Sequence, residues 1–348
     1  MRPKISVCIP AYNRAEVLPD LLDSILAQDF DNFEIVICED CSPQREQIAA
    51  VVGRYNMTRP GLIQYFENTD NLGYDGNLRN LINKSRGEYC LFMGNDDLMC
   101  AGALAAVADA VEAYPDVGVV LRSYAAFDDT PDKINQEFRY FDMEAFFPAG
   151  AETISTIYRR SVVISGMVVH RDSALKYATD RFDGSLLYQL YLVASILCDK
   201  NAVFLPKILA LYRNGGIPDF GNSEKERGKF VPTAQTPASS LHFMQGMLDI
   251  AEFVEHARQV RIYRAILRDI GNYSYPILAI QSGKPLGVFV RYCWGLARLG
   301  FWKNKMFYLY FIALLLLGSR RVEWILRRIK KWLGHTPVIG NVYRGKPS

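Results

Sequence analysis

The sequence has few features of a membrane-spanning or exported protein. Its uncharged apolar run Met306–Leu317 has 12 residues, whereas a spanning helix needs about 20. No leader-like segment opens the chain, because apolar, strand-like sequence begins at Ile5 after only two basic residues. We therefore expect the main body of the protein to lie in the cytoplasm.

Cysteine and histidine are too scattered for a disulfide framework or a zinc site. The seven cysteines are odd in number and lie mostly within apolar runs, which is typical of buried thiols in a reducing compartment. Cys38 and Cys41 form one CxxC pair, but no second pair completes a zinc-binding pattern. The four histidines lie far apart in the sequence.

The net charge of the chain is small, but its distribution is uneven. From Lys284 to the end the chain carries thirteen Lys or Arg and one acid, Glu323, a formal charge of +12. The preceding residues therefore carry −9 of the chain's total of +3. An acidic body with a basic tail suggests that the tail meets an anionic partner.

The length of 348 residues favours two structural units. Short apolar runs alternate with amphipathic stretches through the first half, which predicts a mostly parallel sheet with helices on both faces. Ligands bind at the carboxyl ends of the strands in such a fold. The predicted strands are 5–9, 33–38, 62–67, 88–93, 117–121, 162–170 and a pair within 203–212. The predicted helices are 15–28, 44–55, 76–85, 102–114, 182–198 and a helical region over 239–279, with an irregular stretch at 128–150 and a loop at 215–236.

Polar and acidic residues follow each of the first four predicted strands. Because the carboxyl ends of parallel strands meet at one edge of a sheet, these residues should lie close together. They are Pro10-Ala11-Tyr12-Asn13-Arg14, Glu39-Asp40, Asn68-Thr69-Asp70-Asn71-Leu72-Gly73, and Gly94-Asn95-Asp96-Asp97.

The adjacent acids Asp96 and Asp97 are candidate ligands for Mg²⁺ or Mn²⁺. Hard cations prefer carboxylate oxygen, and such a cation neutralises a pyrophosphate and stabilises it as a leaving group. Taken alone, two acids after a strand are more often a solvated turn than a metal site. The polar residues at the other strand ends favour the metal site.

Glu39 and Asp40 can accept hydrogen bonds from a base and a ribose, although Asp40 or Ser42 could instead cap the next helix. Asn71 and Gly73 lie in a predicted tight turn. Asn77 lies on the helix that follows this turn.

The stretches ISVCIPAYNRAEVLPDLLDSILAQDFDNFEIVICEDCS and ENTDNLGYDGNLRNLINKSRGEYCLFMGNDDLM resemble the family 2 glycosyltransferases of GT-A fold. The likeness covers about residues 1–125, and more weakly 160–215. It implies a catalytic domain over 1–230, with a nucleotide-binding half (1–125) and an acceptor half (126–230), followed by a helical region over 231–348. It also implies a nucleotide-sugar donor carrying UDP, CDP or dTDP.

The same resemblance assigns roles to the residues at the strand ends. Asp96 would contact ribose or metal and Asp97 the metal, with Asn95 standing where some members carry an acid. The remaining nucleotide-binding residues would be Pro10, Ala11, Tyr12, Arg14, Glu39, Asp40, Asn71, Gly73 and Asn77.

The family resemblance also implies an inverting single displacement, which needs a carboxylate to take the acceptor's proton. Asp183, ahead of a predicted helix, is the first choice for this base, and Asp180 is the second. An acid at that place can equally be a helix N-cap. Arg213, in LYRNGG, would contact the donor's phosphate or only fix the loop. GSLLYQLYL resembles an abequosyltransferase-like bacterial subgroup, which attaches deoxysugars in O-antigen assembly.

The basic tail has the pattern of a helix lying on a membrane surface. In VEWILRRIKKWL the apolar residues Val322, Ile325, Leu326, Ile329 and Leu333 share a face opposite Arg and Lys, and Trp324 and Trp332 suit a headgroup interface. The alternatives are a basic helix packed on the protein and a re-entrant or tilted short span. Membrane attachment implies a lipid-linked glycan acceptor and a location on the cytoplasmic face of the inner membrane.

Three other classes of protein are compatible with parts of the sequence. A nucleotidyltransferase needs a Gly-rich basic loop after the first strand, where this chain has Pro10-Ala11-Tyr12-Asn13. A nucleic-acid-binding module could use the basic tail, but the Leu- and Trp-rich tail suits lipid better, so we expect no nucleic-acid partner. A degenerate, non-catalytic nucleotide-sugar-binding protein is the remaining alternative.

Overall fold

The computed structural model describes residues 2–128, 130–214 and 219–333, and its centre is one ten-stranded sheet. The strands are β1 (Ile5–Ala11), β2 (Phe33–Glu39), β3 (Ile63–Glu67), β4 (Tyr89–Phe92), β5 (Leu98–Met99), β6 (Val117–Phe127), β7 (Ile134–Phe138), β8 (Ala145–Phe147), β9 (Val168–His170) and β10 (Asn201–Arg213).

Twelve α-helices cover this sheet or extend from it within the described residues. They are α1 (Leu18–Leu26), α2 (Arg45–Thr58), α3 (Gly73–Lys84), α4 (Ala103–Ala113), α5 (Ala151–Ile157), α6 (Arg171–Lys176), α7 (Tyr188–Ile196), α8 (Pro237–Arg258), α9 (Tyr263–Asn272), α10 (Tyr275–Ser282), α11 (Leu286–Arg298) and α12 (Lys305–Leu333). Short 3₁₀ helices occupy Tyr158–Ser161 and Phe301–Lys303.

The strand order is β3-β2-β1-β4-β9-β6-β10-β5, with β7 beside β6 and β8 beside β10. Strands β3, β2, β1 and β4 run parallel, as do the two longest strands, β6 and β10. The short strand β9 is antiparallel to both of its neighbours, β4 and β6. The predicted mixed α/β fold with a large, mostly parallel sheet is therefore confirmed, and β9 joins its two parallel parts.

Each central strand buries side chains on both faces, which explains its continuous apolar sequence. In β1, Val7 and Ile9 pack into one core with α1, α2 and α4, whereas Cys8 faces the other core. This alternation follows from the two-residue period of a strand. The second core contains α3, α5 and α7 and continues into the C-terminal helices α8–α12.

The C-terminal helices pack directly against the helices that cover one face of the sheet. Helix α8 begins with a capping box in which Thr236 and Ser239 satisfy each other's main-chain N–H, and Pro237 occupies the first turn. The buried Tyr158 hydroxyl donates to the carbonyl of Met247 at 2.7 Å. The helical region and the sheet thus share one continuous apolar core, and the boundary near residue 230 stays a prediction.

Four predicted segments differ from the structure. Within 162–170 only Val168–His170 is a strand, because the preceding residues turn out of the sheet. The pair predicted around Pro206 is one strand, β10, with register shifts against β6 on either side of Ile208; proline lacks the N–H that a regular ladder uses. The helical region 239–279 is three helices, and the irregular stretch 128–150 contains β7 and β8.

Helix α12 joins the two apolar segments of the tail across a kink at Gly318, whose φ is 72°. Val322 is buried against the protein, whereas Trp324 and Ile325 are exposed, so the predicted common apolar face is divided. The side chains of Arg327 and of residues 329–333 lie outside the described residues. In the part of the chain that is described, no helix has both the length and the apolar character needed to cross a membrane.

Candidate active site

A cavity of about 390 Å³ opens at the carboxyl ends of β1, β2 and β4. Its far side is formed by residues 162–165, the start of α7 and residues 219–226. Ten of the residues predicted for the site line it: Pro10, Tyr12, Arg14, Asp40, Asn71, Gly73, Asn77, Asp96, Asp97 and Arg213. The cavity therefore lies at the edge of the sheet where the sequence predicted the binding site.

Asp40 lies at the end of the cavity formed by β2 and the turn after β3. Its carboxylate accepts hydrogen bonds from the Asn68 amide (2.7 Å) and the Leu72 N–H (2.9 Å). Burial raises the pKa of Asp40 to about 6, and these two donors oppose the shift. The site thus presents a buried carboxylate whose oxygens can accept hydrogen bonds from further N–H or O–H donors.

Asn71, Gly73 and Asn77 shape the same end of the cavity. Gly73 has a φ of 74°, and a Cβ at this position would lie 2.5 Å from Ser223 Oγ. The Asn71 side chain accepts from the Gly73 N–H at 3.0 Å, which is the predicted tight turn. The Asn77 amide donates to the carbonyl of Cys38 at 3.0 Å, so it fixes the end of β2 against α3.

Two residues predicted to bind nucleotide do not line the cavity. The Ala11 side chain is buried in the sheet core. The buried Glu39 carboxylate accepts from the N–H groups of Cys41 (3.1 Å) and Ser42 (2.7 Å) and from Arg45 Nε (2.5 Å). Glu39 therefore orders the turn after β2. Helix α2 begins after Gln44 without a side-chain cap, so neither Asp40 nor Ser42 has the capping role considered for them.

Asp97, which is 3% exposed, is held by groups from two distant segments. Its carboxylate accepts from the Ser165 hydroxyl and from the Arg213 N–H. Burial raises the pKa of Asp97, and the charge of Asp96 raises it further. A divalent cation would relieve both effects by stabilising the ionised form.

Asp96 forms an ion pair with Arg14, within the cavity lining. Burial raises the pKa of Asp96, and the Arg14 charge opposes that rise. Asn13 and Arg14 have φ values of 55° and 64°. Left-handed backbone costs an L-residue about 1–2 kcal/mol, and such strain is concentrated at functional sites. The unusual turn brings the Arg14 guanidinium to the acidic pair.

The donor atoms of Asp96 and Asp97 fit a hard divalent cation, provided that other ligands come from substrate and water. Among residues 2–128, 130–214 and 219–333 no group of three or more His, Cys, Asp or Glu side chains could hold a metal ion. The protein thus offers a partial site, which is the mode in which Mg²⁺ is usually bound together with phosphate oxygens.

Arg213 closes the cavity at the end of β10. Its Nε donates to the Asp96 carbonyl at 2.9 Å, and its Nη2 donates to Asp20 at 3.0 Å. It therefore fixes the acidic pair, whereas residues 215–216 of the predicted phosphate loop lie outside the described residues.

The two residues predicted as the base lie outside the cavity lining. Both carboxylate oxygens of Asp183 accept from Arg79, at 2.6 and 2.8 Å. Asp180 is exposed on the same turn. A carboxylate in a bidentate ion pair is a poor proton acceptor, so this geometry disagrees with the expected role of Asp183.

Sequence analysis did not predict several of the residues that line the cavity. Glu226 is buried and accepts from the N–H groups of Tyr74 and Gly221, both at 2.8 Å. Ser165 and Gln189 also line the cavity. Gln189 had a detectable signal, because it is one polar residue within the apolar run LLYQLYLV. Glu226 had none, since it lies in a polar loop.

The fold and the cavity agree with the class of protein that the sequence resembles, the family 2 glycosyltransferases. Residues 6–177 match the family model described as glycosyl transferase family 2, and this part of the chain belongs to that family.

Two curated relatives are similar to this chain over part of its length. Abequosyltransferase RfbV of Salmonella typhimurium is 36% identical over 115 residues, which cover 32% of this chain and 34% of that protein. GalNAc(5)-diNAcBac-PP-undecaprenol beta-1,3-glucosyltransferase of Campylobacter jejuni is 35% identical over 104 residues, covering 29% and 32%. The chain thus matches about a third of the length of each relative.

Among solved structures, that of S. aureus TarS 1-349 in complex with UDP-GlcNAc is similar to this chain. The TM-score is 0.60 at 18% identity, and the match covers 84% of this chain and 79% of that one. At this level of identity the likeness concerns the fold, and it extends beyond the residues of the family match.

Proposed function

We propose that this chain transfers a sugar from a nucleotide-sugar donor to a hydroxyl group of a glycan acceptor in bacterial surface polysaccharide or O-antigen assembly. The observation that carries the proposal is the cavity that joins Asp40 to the Asp96–Asp97 pair. Family membership and the named activities of the relatives support it.

The nucleoside would occupy the end of the cavity near Asp40, Asn71 and Tyr12. The buried Asp40 carboxylate is a strong acceptor for N–H or O–H groups of a base or ribose. The diphosphate would then lie towards the ends of β1 and β4. UDP is the first nucleotide to test, because the similar TarS structure contains UDP-GlcNAc.

Asp96 and Asp97 would hold a Mg²⁺ or Mn²⁺ ion together with diphosphate oxygens. When bound, such a cation neutralises the negative charge that develops on the departing diphosphate. Arg14 already supplies one positive charge at this place. If the diphosphate replaced Asp96 as the partner of Arg14, the planar donors of the guanidinium would be well suited to contact phosphate.

The proposed displacement forms one bond and breaks one. The acceptor oxygen bonds to the anomeric carbon, and the bond from that carbon to the diphosphate oxygen breaks with inversion. The acceptor hydroxyl gives its proton to a base. Asp183 and Asp180 were predicted for this step, but a direct role for Asp183 requires that Arg79 release it.

The acceptor is proposed to be a lipid-linked glycan, and the C-terminal helices to lie on an anionic membrane surface. Helices α11 and α12 expose large apolar side chains, of which Trp294 (66%) and Leu316 (72%) are the most exposed. Lys303, Arg320 and Arg321 flank this surface in the sequence. Exposed apolar residues bordered by cations are typical of interfacial helices.

The membrane proposal predicts binding to vesicles that contain phosphatidylglycerol and weak binding to pure phosphatidylcholine. Trp294→Ser combined with Leu316→Ser should reduce the bound fraction at least about tenfold, because each removes buried apolar area in the bound state. Met57→Ser, at an exposed methionine on α2, is the control. Equal binding of all three proteins would contradict the proposed surface.

The catalytic proposal is tested by a donor screen on the full chain. UDP, CDP and dTDP sugars are supplied with Mn²⁺, Mg²⁺ or EDTA, and release of the nucleoside diphosphate is measured with a lipid-linked glycan acceptor. We expect turnover with one nucleotide class and loss of turnover with EDTA. Binding of a donor without turnover under any condition would favour the non-catalytic alternative.

A further inference from the structure

One wall of the cavity, residues 162–165, offers almost no polar group to a ligand. Three of its side chains are apolar: Val162, Val163 and Ile164. All four main-chain carbonyls accept hydrogen bonds from the protein: from Gln189 Nε2 at Val162 (2.9 Å), Arg122 Nη2 at Val163 (2.9 Å), the Met167 N–H at Ile164 (2.7 Å) and Arg122 Nε at Ser165 (2.7 Å).

Gln189 supplies an unused acceptor next to this wall. Its side chain lines the cavity and is 1% exposed. Because a carbonyl can only accept, the bond to Val162 requires that the amide NH₂ group face that residue, which fixes the position of the oxygen. Oε1 has no hydrogen-bond partner within the described ranges, and an unsatisfied buried acceptor costs about 1–3 kcal/mol.

The position of Gln189 along the cavity follows from the order of the strands. Strand β2, which ends beside Asp40, is separated from β4 by β1, and β9 lies beyond β4. Residues 162–165 lead into β9, and Ser165 contacts Asp97. A donor with its nucleoside near Asp40 and its diphosphate near Asp97 therefore places its sugar against residues 162–165 and Gln189.

The start of α7 is too well anchored for Gln189 to move away from this wall. Asp75 is buried and accepts from the N–H groups of Ser185 (3.0 Å), Leu186 (2.9 Å) and Tyr188 (2.8 Å). These bonds satisfy main-chain donors that a helix start leaves unpaired. The acceptor oxygen is therefore preorganised, which increases its effect on binding.

We propose that Gln189 determines specificity for the donor sugar, because its Oε1 accepts a hydrogen bond from one hydroxyl or amide N–H of that sugar. This inference rests on the proposed function, because the position of the sugar follows from a donor whose nucleoside lies near Asp40 and whose diphosphate lies near Asp97. A sugar without a donor at this position leaves Oε1 unpaired and binds less tightly.

The test compares nucleoside diphosphates with the corresponding nucleotide sugars by isothermal titration calorimetry of the full chain with Mn²⁺. The probes are UDP with UDP-glucose and UDP-N-acetylglucosamine, and the equivalent dTDP and CDP pairs. In Gln189→Met, the Kd of the nucleotide sugar should rise about 5- to 100-fold, whereas the Kd of the nucleoside diphosphate should change less than about twofold.

Gln281 provides a matched control on α10. It is also buried, donates through Nε2 to Ser240 at 2.9 Å, and has an Oε1 without a partner in the described structure. It does not line the cavity. Gln281→Met should therefore leave both Kd values unchanged. If Gln189→Met does not fold, Gln189→Asn, which withdraws the amide by one methylene, should weaken nucleotide-sugar binding selectively.

Three outcomes would overturn the inference. Equal Kd values for wild type and variant would remove Gln189 from the sugar site. A parallel loss of nucleoside diphosphate and nucleotide-sugar binding would show that the residue acts on the fold or on the nucleotide. A wild-type protein that binds none of the probes would overturn the proposed function together with this inference, whereas the first two outcomes leave that function intact.

Discussion

The two walls of the cavity are built in different ways. The wall formed by residues 10–97 is polar and acidic, and it comes from the ends of neighbouring parallel strands. The wall formed by residues 162–226 combines the apolar residues 162–164 with polar side chains such as Gln189 and Glu226, and its parts come from an irregular segment, a helix start, the end of β10 and a loop. The first wall suits a charged nucleotide and a cation, and the second suits a neutral sugar.

The difference also concerns how each wall is stabilised. On the first wall, side chains such as Glu39 and Asn77 satisfy the main chain close to the strand ends. On the second wall, Arg122, Asp75 and Glu226 bridge segments that are distant in sequence. We therefore expect substitutions on the first wall to affect nucleotide and cation binding, and substitutions on the second to affect sugar selection.

The largest effect should come from Asp97→Asn, where the two walls meet. The amide retains the volume but removes the charge that a cation requires, so kcat should fall about 10³-fold. Thermal unfolding by circular dichroism should show that the variant is folded. Asp109→Asn, at an exposed position on α4, is the control, and near-normal turnover of Asp97→Asn would contradict the metal assignment.

Asp40→Asn should weaken binding of the nucleoside diphosphate about 10- to 100-fold, because a charged acceptor is replaced by an amide. Since the pKa of Asp40 is raised to about 6, wild-type affinity should fall as the pH drops through about 6 and the carboxylate is protonated. The variant should lack this pH step. Titration calorimetry between pH 5 and 8 tests this, and an identical pH profile in both proteins would refute the contact.

The smallest effect should come from Asp183→Asn, because the structure shows this residue as the partner of Arg79. We expect kcat to change less than about tenfold and the melting temperature to fall by a few degrees, as for Arg79→Gln, because both variants break one partly buried ion pair. A loss of kcat by about 10³-fold with an unchanged melting temperature would instead restore Asp183 as the base.

The first wall was predictable from the sequence because its residues are close in sequence to the strands that position them. Most of its residues lie in the turns that follow apolar strands, and Asn77 lies on the helix after one such turn. Strand, turn and helix patterns therefore give their positions without knowledge of distant contacts. Ala11 and Glu39 were predicted for the site but do not line the cavity, because the spacing of residues along a strand does not decide which way a side chain at its end faces. Glu39 turned inward to satisfy the Ser42 N–H.

The second wall was not predictable because long-range hydrogen bonds build it. Residues 162–165 have the sequence of a strand, but Arg122 donates to the carbonyls of Val163 and Ser165. A turn at Gly166 (φ 80°) separates these residues from β9. The start of α7 depends on Asp75, about 110 residues earlier in the chain. No local pattern records such partners. The polar Gln189 within an apolar run was a signal in the sequence, but only the structure places this residue on the cavity wall.

The central claim is that Asp96 and Asp97 hold a divalent cation against a nucleoside diphosphate. It is tested most directly by measuring the Kd of UDP, CDP and dTDP by titration calorimetry with Mn²⁺ and with EDTA. We predict that at least one nucleotide binds about tenfold or more tightly with Mn²⁺, and that Asp97→Asn removes this gain. Equal affinity with Mn²⁺ and with EDTA for every nucleotide would contradict the account.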